Sequence, residues 1–196
     1  MGVPTEGLIC AVGPAKSSAA GQYFGYSLQQ TRLCHHLLKA PDGEHVSLEF
    51  LDDVAVHHAD GTTLLEQSKS APSGNPVADR AVDLWKTLAN WADVCAEGKA
   101  DALTTRFRLY VTPNKTGTFV RVLHKAETED DAKAALAKVK KFYDKKNPTV
   151  GCNPHIDRFL NAGPELCCHI IAGFELQTEA DPKEAVRDRL RALAGC

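Results

Sequence analysis

Apolar and polar positions alternate most regularly between His45 and Ser70. Apolar side chains recur at every second position in parts of two runs, which Ala59-Asp60-Gly61 separates. This alternation, with Asp-Gly at the reversal, predicts two β-strands joined by a tight turn. If the loop has three residues and Gly61 is left-handed, the numbers of facing residues sum to 120.

The first of these runs, residues 46–58, is interrupted by the polar pair in Leu51-Asp52-Asp53. A bend there would divide the run into two strands. The predicted order of elements is then helix, three strands, helix, strand. Without the bend, that order has one strand fewer.

Helical spacing of apolar residues predicts a helix before this hairpin and another after it. In residues 19–39 the recurring positions are Tyr23, Tyr26, Leu33, Leu37 and Leu38. In residues 77–97 the apolar stripe includes both tryptophans, which favours core packing over base stacking for Trp85 and Trp91.

The second half of the chain is predicted to be mainly helical. After a strand at residues 107–111, helices are expected at residues 118–125 and 129–145. The apolar run at residues 166–176 is expected to be a buried strand, and residues 182–194 a closing helix. Residues 1–18 are rich in Gly, Pro, Ala and Ser, which is typical of a flexible arm.

Composition places the chain among ordinary globular proteins of one large or two small domains. Its 196 residues are 43 % hydrophobic and 24 % charged, with a net charge of −2, so no global basic field indicates nucleic-acid binding. No apolar run approaches the ~20 residues that span a bilayer, and no secretion signal is recognisable. A cytoplasmic location is therefore expected.

The odd number of cysteines, seven, is typical of reduced thiols rather than of a disulfide framework. A zinc site that joins parts of an adaptor is one alternative for the second half of the chain. Buried free thiols explain the same residues, and the sequence leaves both open. The zinc ligands would be Cys152, His155, Cys167 and His169.

The hairpin carries the candidate chemistry. In the register above, Asp53 faces Gln67 with Cβ atoms roughly 5 Å apart, and Lys69 lies two residues further on the same face. A carboxylate, an amide oxygen and an ammonium group that converge can hold a divalent cation and a phosphate. The alternative is an exposed hairpin whose charges are merely solvated. In the first helix, Gln29 is either a surface residue or a hydrogen-bonding partner of this site.

Four short motifs occur in a fixed order: GYSLQ, LEFLDD, EQSKS and WKTLANW. Together they resemble the double-stranded DNA endonuclease domain of the CD-NTase-associated effectors of bacterial antiphage defence. That family belongs to the PD-(D/E)xK restriction-endonuclease-like superfamily, and the resemblance covers about residues 21–112. It implies an α/β fold with a restriction-endonuclease-like core of helix, three-stranded meander, helix and strand. A mostly helical C-terminal extension follows.

The resemblance also implies roles for individual residues. Asp53 matches the metal-binding acid, with Asp52 as its rival if the register is shifted by one residue. Gln67 matches the second metal-binding position, where Asp or Glu is usual, and Lys69 matches the lysine of the motif. The backbone carbonyl of Ser68 would be a further metal ligand. Accessory roles would fall to Glu49 and Gln29.

The expected activity is Mg²⁺- or Mn²⁺-dependent hydrolysis of double-stranded DNA by a bacterial defence effector. Residues 19–196 would form the endonuclease domain, with its core in residues 19–113 and the extension in residues 114–196. That domain would belong to a longer protein and act with further domains or subunits as an oligomer. The alternative is a catalytically silent nuclease-like fold that serves as a binding or oligomerisation module.

Overall fold

The computed structural model describes residues 19–195, which form seven helices and five strands. The elements are α1 (Ala19–Leu37), β1 (His45–Leu48), β2 (Val54–His57), β3 (Thr63–Ser70), α2 (Val82–Ala96), β4 (Thr105–Thr112), α3 (Thr118–His124), α4 (Glu129–Phe142), α5 (Asn153–Asn161), α6 (Pro164–Ala172), β5 (Phe174–Thr178) and α7 (Glu184–Ala194). The protein is α/β, as predicted. Residues 1–18, for which a flexible arm is predicted, lie outside the described residues.

The strands form a single mixed sheet in the order β1-β2-β3-β4-β5. The first three strands are antiparallel neighbours, and β3, β4 and β5 run parallel to one another. Helix α2 connects β3 to β4, as parallel pairing requires a long crossover. The carboxyl ends of β3 and β4 therefore lie at the same edge of the sheet.

The predicted hairpin register is confirmed. Val54 pairs with Glu66 and His57 with Thr63, so facing numbers sum to 120. Gly61 has a φ of 86°, which is the left-handed conformation that the three-residue loop needs. The predicted bend is also present, because residues 49–53 separate β1 from β2.

One face of the sheet carries the main hydrophobic core. Helices α2 to α6 all contribute to this core, together with Leu65 of β3 and Phe107 of β4. Trp85 and Trp91 are at most 1 % exposed, which confirms that they are core residues. Ile156 and Phe159 of α5 belong to the same core, so the C-terminal extension is part of one packed unit with the first half.

Helix α1 packs on the opposite face, but not through the side chains that its apolar periodicity predicts. Tyr23, Tyr26 and Leu37 are 70 %, 54 % and 54 % exposed. The buried positions include the charged Arg32 and the imidazole of His35. The prediction of the buried face is wrong because β3 presents a buried carboxylate, Glu66, and α1 turns Arg32 and His36 towards it.

Two further predictions in the second half are wrong. Residues 166–176 are not one buried strand: α6 ends at Ala172 and β5 begins at Phe174, with Gly173 between them. Helix α5 is absent from the predicted elements, since Pro154 indicates a break in the chain. In the structure Pro154 occupies the first turn of α5, where its missing N–H costs nothing.

Candidate functional site

The loop between β1 and β2 delivers two adjacent carboxylates, Asp52 and Asp53, to the edge where β3 ends. Glu49 closes this loop by donating its N–H to the carbonyl of Asp53 at 3.2 Å. Glu49 has a φ of 54°, an uncommon conformation for a residue other than glycine. The loop conformation thus directs the two acids towards different neighbours.

Asp53 is held by α1 and β3 together. Its Oδ1 accepts a hydrogen bond of 2.8 Å from the Gln29 side-chain amide. Its Oδ2 accepts one of 2.8 Å from the backbone N–H of Ser68. Gln29 is therefore a hydrogen-bonding partner of the site, which is the second of the two alternatives given for this residue.

Gln67 and Lys69 also act on the Asp53 carboxylate. Burial raises the pKa of Asp53 above its ordinary value. Opposing this, the Ser68 N–H, the Lys69 charge and the hydrogen bonds of Gln67 and Gln29 favour the ionised form. The structure thus brings together the acid, the amide and the amine that the sequence singles out. Whether the Ser68 carbonyl binds a metal stays a prediction.

Asp52, the rival acid, has different partners. One of its oxygens accepts from the Asp53 N–H at 2.8 Å, and the other accepts from the indole N–H of Trp91. Burial raises the pKa of Asp52 to about 7, against the opposing effects of the Trp91 and Asp53 hydrogen bonds. Asp52 is thus anchored to α2, whereas Asp53 is anchored to α1.

Lys69 is the cationic side chain that acts on both acids. Its charge lowers the pKa of Asp52 and of Asp53. Its Nζ lies 4.0 Å from Oδ1 of Asp83 at the start of α2, and its side chain is 25 % exposed. The Lys69 side chain is therefore partly accessible to a phosphate that approaches the carboxylates.

A cavity of about 390 Å³ opens beside these residues. The β1–β2 loop lines one side with Glu49, Phe50, Asp52 and Asp53 among others, and α2 lines the other side. The α2 residues are Asn90, Trp91, Asp93 and Val94, and Glu97 follows directly after the helix. The lining is strongly acidic, which suits a cation better than a bare phosphate.

The sequence analysis missed a buried charge cluster on the α1 side of β3. Arg32 donates to both oxygens of Glu66, at 2.6 and 3.0 Å, and His36 Nε2 lies 2.9 Å from Glu66 Oε2. The Arg108 Nη1 atom approaches the same oxygen at 3.4 Å. Burial alone would raise the pKa of Glu66, but the His36 and Arg32 interactions lower it below its ordinary value.

This cluster fixes α1 against the strand that carries the candidate site. Glu66 is the neighbour of Gln67, and Arg32 lies one turn beyond Gln29 on α1. The ion pairs therefore fix the position of α1 relative to β3, and with it the position from which Gln29 donates to Asp53. Two features of the sequence indicate this cluster. One is the charged Glu66 in the strand that carries Gln67, and the other is Arg32, three residues after Gln29.

Cys167, one of the residues of the alternative zinc site, already has a hydrogen-bond partner in the protein. Cys167 donates its thiol to the carbonyl of Phe159 at 3.0 Å, and burial raises the pKa of Cys167 to about 12. Zinc binds the thiolate, which this environment disfavours. Across residues 19–195, no three or more His, Cys, Asp or Glu side chains are grouped so that they could hold a metal ion.

Comparisons with protein-family models, with curated proteins and with solved structures found no match. In the described part of the chain, no helix has both the length and the apolar character needed to cross a membrane.

Proposed function

We propose that this chain is a metal-dependent endonuclease domain that hydrolyses phosphodiester bonds of double-stranded DNA. The observation that carries the proposal is the convergence of Asp53, Gln67 and Lys69 at one edge of the sheet. The order helix, antiparallel meander, helix, parallel strand supports a restriction-endonuclease-like core as the finer description of the fold. The resemblance of the sequence motifs adds a role as an assembly-activated effector of bacterial antiphage defence.

The donor set fits Mg²⁺ or Mn²⁺. These cations prefer oxygen ligands, and the site offers the Asp53 carboxylate, the Gln67 amide oxygen and the Ser68 carbonyl. Gln29 adds an independent observation, because its Oε1 is buried with no hydrogen-bond partner among the described residues. Such an acceptor is costly to bury unless a cation or a water molecule satisfies it.

A bound divalent cation would lower the pKa of water and polarise the scissile phosphate. The protein groups contribute the remaining parts. Asp53 is oriented by two hydrogen bonds before substrate arrives, so its carboxylate needs no reorganisation. Lys69 is placed to orient the attacking water and to stabilise the charge that develops on the phosphate. Asp52, bonded to Trp91, supports the loop that carries Asp53.

A plasmid assay tests this proposal. Supercoiled DNA incubated with the protein and Mg²⁺ or Mn²⁺ is expected to be nicked and linearised. Lys69→Ala should abolish this activity, whereas Lys138→Ala, an exposed lysine of α4, should retain it. Activity in Lys69→Ala equal to that of the unmodified protein would contradict the proposal.

The second candidate is a catalytically silent nuclease-like fold that serves as a binding or oligomerisation module. The neutral Gln67 favours it, because the amide gives the cation one negative charge fewer than a carboxylate would. Under this alternative the protein binds DNA or itself but does not cut plasmid at any concentration of Mg²⁺ or Mn²⁺.

A further inference from the structure

The exposed aromatic side chains lie on the two segments that hold the candidate acid. Within residues 23–195, every exposed Phe, Tyr or Trp belongs to α1 or to the β1–β2 loop. The four are Tyr23, Phe24, Tyr26 and Phe50, with exposed fractions of 54–76 %. Both segments hold the candidate acid: the loop contains Asp53, and α1 contains its hydrogen-bond partner Gln29.

Each segment brings an aromatic ring close to the acid. Phe50 lines the same cavity as Asp52 and Asp53. Tyr26 precedes Gln29 by three residues, which on a helix corresponds to about 4.5 Å along the axis and roughly 60° around it. Phe50 directly follows Glu49, whose φ is positive, and its side chain is 76 % exposed.

The charge of this region narrows the choice of partner. The cavity is lined by five acidic residues, of which Asp93 pairs with Arg158 at 3.2 Å and Glu97 pairs with Lys99 at 2.6 Å. The other three are Glu49, Asp52 and Asp53. Such a lining repels phosphates other than the one that a bound cation neutralises. Contacts to the flanking nucleotides must therefore be made to an uncharged part, and a base offers a π-face to any aromatic ring.

We infer that Tyr23, Phe24, Tyr26 and Phe50 form an aromatic rim that stacks unpaired bases of DNA beside the cleaved phosphate. The inference rests on the proposed function and gives it a substrate class: DNA with locally unpaired bases, such as a bubble, a frayed end or a flap. Stacking supplies affinity that is independent of sequence and that the net charge of −2 does not supply.

The test uses the full chain carrying Lys69→Ala, so that DNA stays intact. Its affinity is measured by fluorescence anisotropy, at fixed salt with Mg²⁺, for a fully paired duplex and for the same duplex with a short bubble containing 2-aminopurine. The bubble is expected to bind on the order of tenfold more tightly and its fluorescence to be quenched by stacking. Adding Phe50→Ala or Tyr26→Ala should weaken bubble binding on the order of tenfold each and relieve the quenching.

Two controls separate stacking from general loss of surface or charge. Leu103→Ala removes an apolar side chain that is 73 % exposed on the turn before β4, and it should change nothing. Phe50→Trp should retain binding, because the ring is kept. The dependence of affinity on salt should be the same with and without Phe50, since a ring releases no counterions.

Equal affinity for the bubble and the paired duplex would overturn the inference. Bubble affinity that is unchanged when Phe50→Ala and Tyr26→Ala are combined would overturn it as well. A dimer, detected by light scattering, that Phe50→Ala and Tyr26→Ala dissociate without affecting DNA binding would assign the rim to a second copy and overturn it too. The proposed function fails separately: in that case the chain with Lys69 intact binds the bubble through its rings but cuts no DNA.

Discussion

Replacing Glu66 with alanine is expected to destabilise the protein severely, because the change leaves Arg32 buried without its carboxylate. Both side chains are 0 % exposed, and their closest atoms are 2.6 Å apart. Removing one partner of such a buried pair costs about 3–5 kcal/mol, out of a total stability of roughly 5–15 kcal/mol. For a chain of this length, Tm should fall by roughly 6–20 °C.

The double variant Arg32→Met with Glu66→Leu isolates the cause. With neither charge buried, it should be more stable than Glu66→Ala alone, since the penalty comes from the unpaired guanidinium rather than from lost attraction. The exposed pair Glu129 and Lys133, 2.6 Å apart, is the matched control. Glu129→Ala is expected to leave Tm unchanged.

The same cluster predicts how the free energy of unfolding changes as the pH falls below neutrality. The pKa of Glu66 is lowered in the folded state, so its contribution is complete above the ordinary pKa of a glutamate and is lost as the pH falls below it. Urea unfolding from pH 7 down to pH 3 should show a shallower loss of stability in the double variant than in the unmodified protein. Equal slopes, together with a harmless Glu66→Ala, would refute the reasoning.

Three further predictions concern the candidate site. Lys69→Ala should abolish plasmid cleavage while circular dichroism and Tm report an intact fold; a folded variant that still nicks DNA contradicts the role of Lys69. Gln67→Glu should lower the metal concentration for half-maximal cleavage about tenfold from the millimolar range, because it adds a charged ligand; saturation of the unmodified protein by micromolar Mg²⁺ would exclude this. The change in Tm that Asp52→Asn causes in EDTA should be more favourable at pH 8 than at pH 5. Burial holds the pKa of Asp52 near 7, so the folded state loses stability as the pH rises towards that value. An equal change in Tm at both pH values would contradict the raised pKa of Asp52.

Much of the hairpin could be predicted because its determinants are local. Alternation fixes which residues share a face, and a glycine at the turn fixes the loop length, so the pairing follows from the sequence of residues 45–70 alone. The convergence of Asp53 and Gln67 is a direct consequence of that pairing. Asp52 and Asp53 interrupt the apolar pattern, which is why the bend was foreseeable.

The buried faces of the helices are harder to predict from the sequence, because they depend on residues that are distant in the chain. Apolar periodicity assumes that a helix buries its apolar face, but α1 buries Arg32 and His35 and exposes Tyr23 and Tyr26. Glu66, the carboxylate that the buried Arg32 contacts, is 34 residues away from Arg32 in the sequence. The run from Leu166 to Leu176 contains the end of α6 and the start of β5, with buried apolar residues in each, and a continuous apolar stretch has no period that distinguishes a helix from a strand.

The exposed tyrosines of α1 and the buried arginine are two consequences of one arrangement. The sheet face beneath α1 is polar at Glu66, so Arg32 must point inward to compensate the carboxylate, and His36 contacts it as well. With the inward positions taken, the aromatic side chains of the first turns are left exposed on α1, the helix that carries Gln29. The ion pair that fixes the position of Gln29 thus also determines which side chains α1 exposes. Substituting Glu66 should therefore disturb cleavage even at temperatures where the protein stays folded.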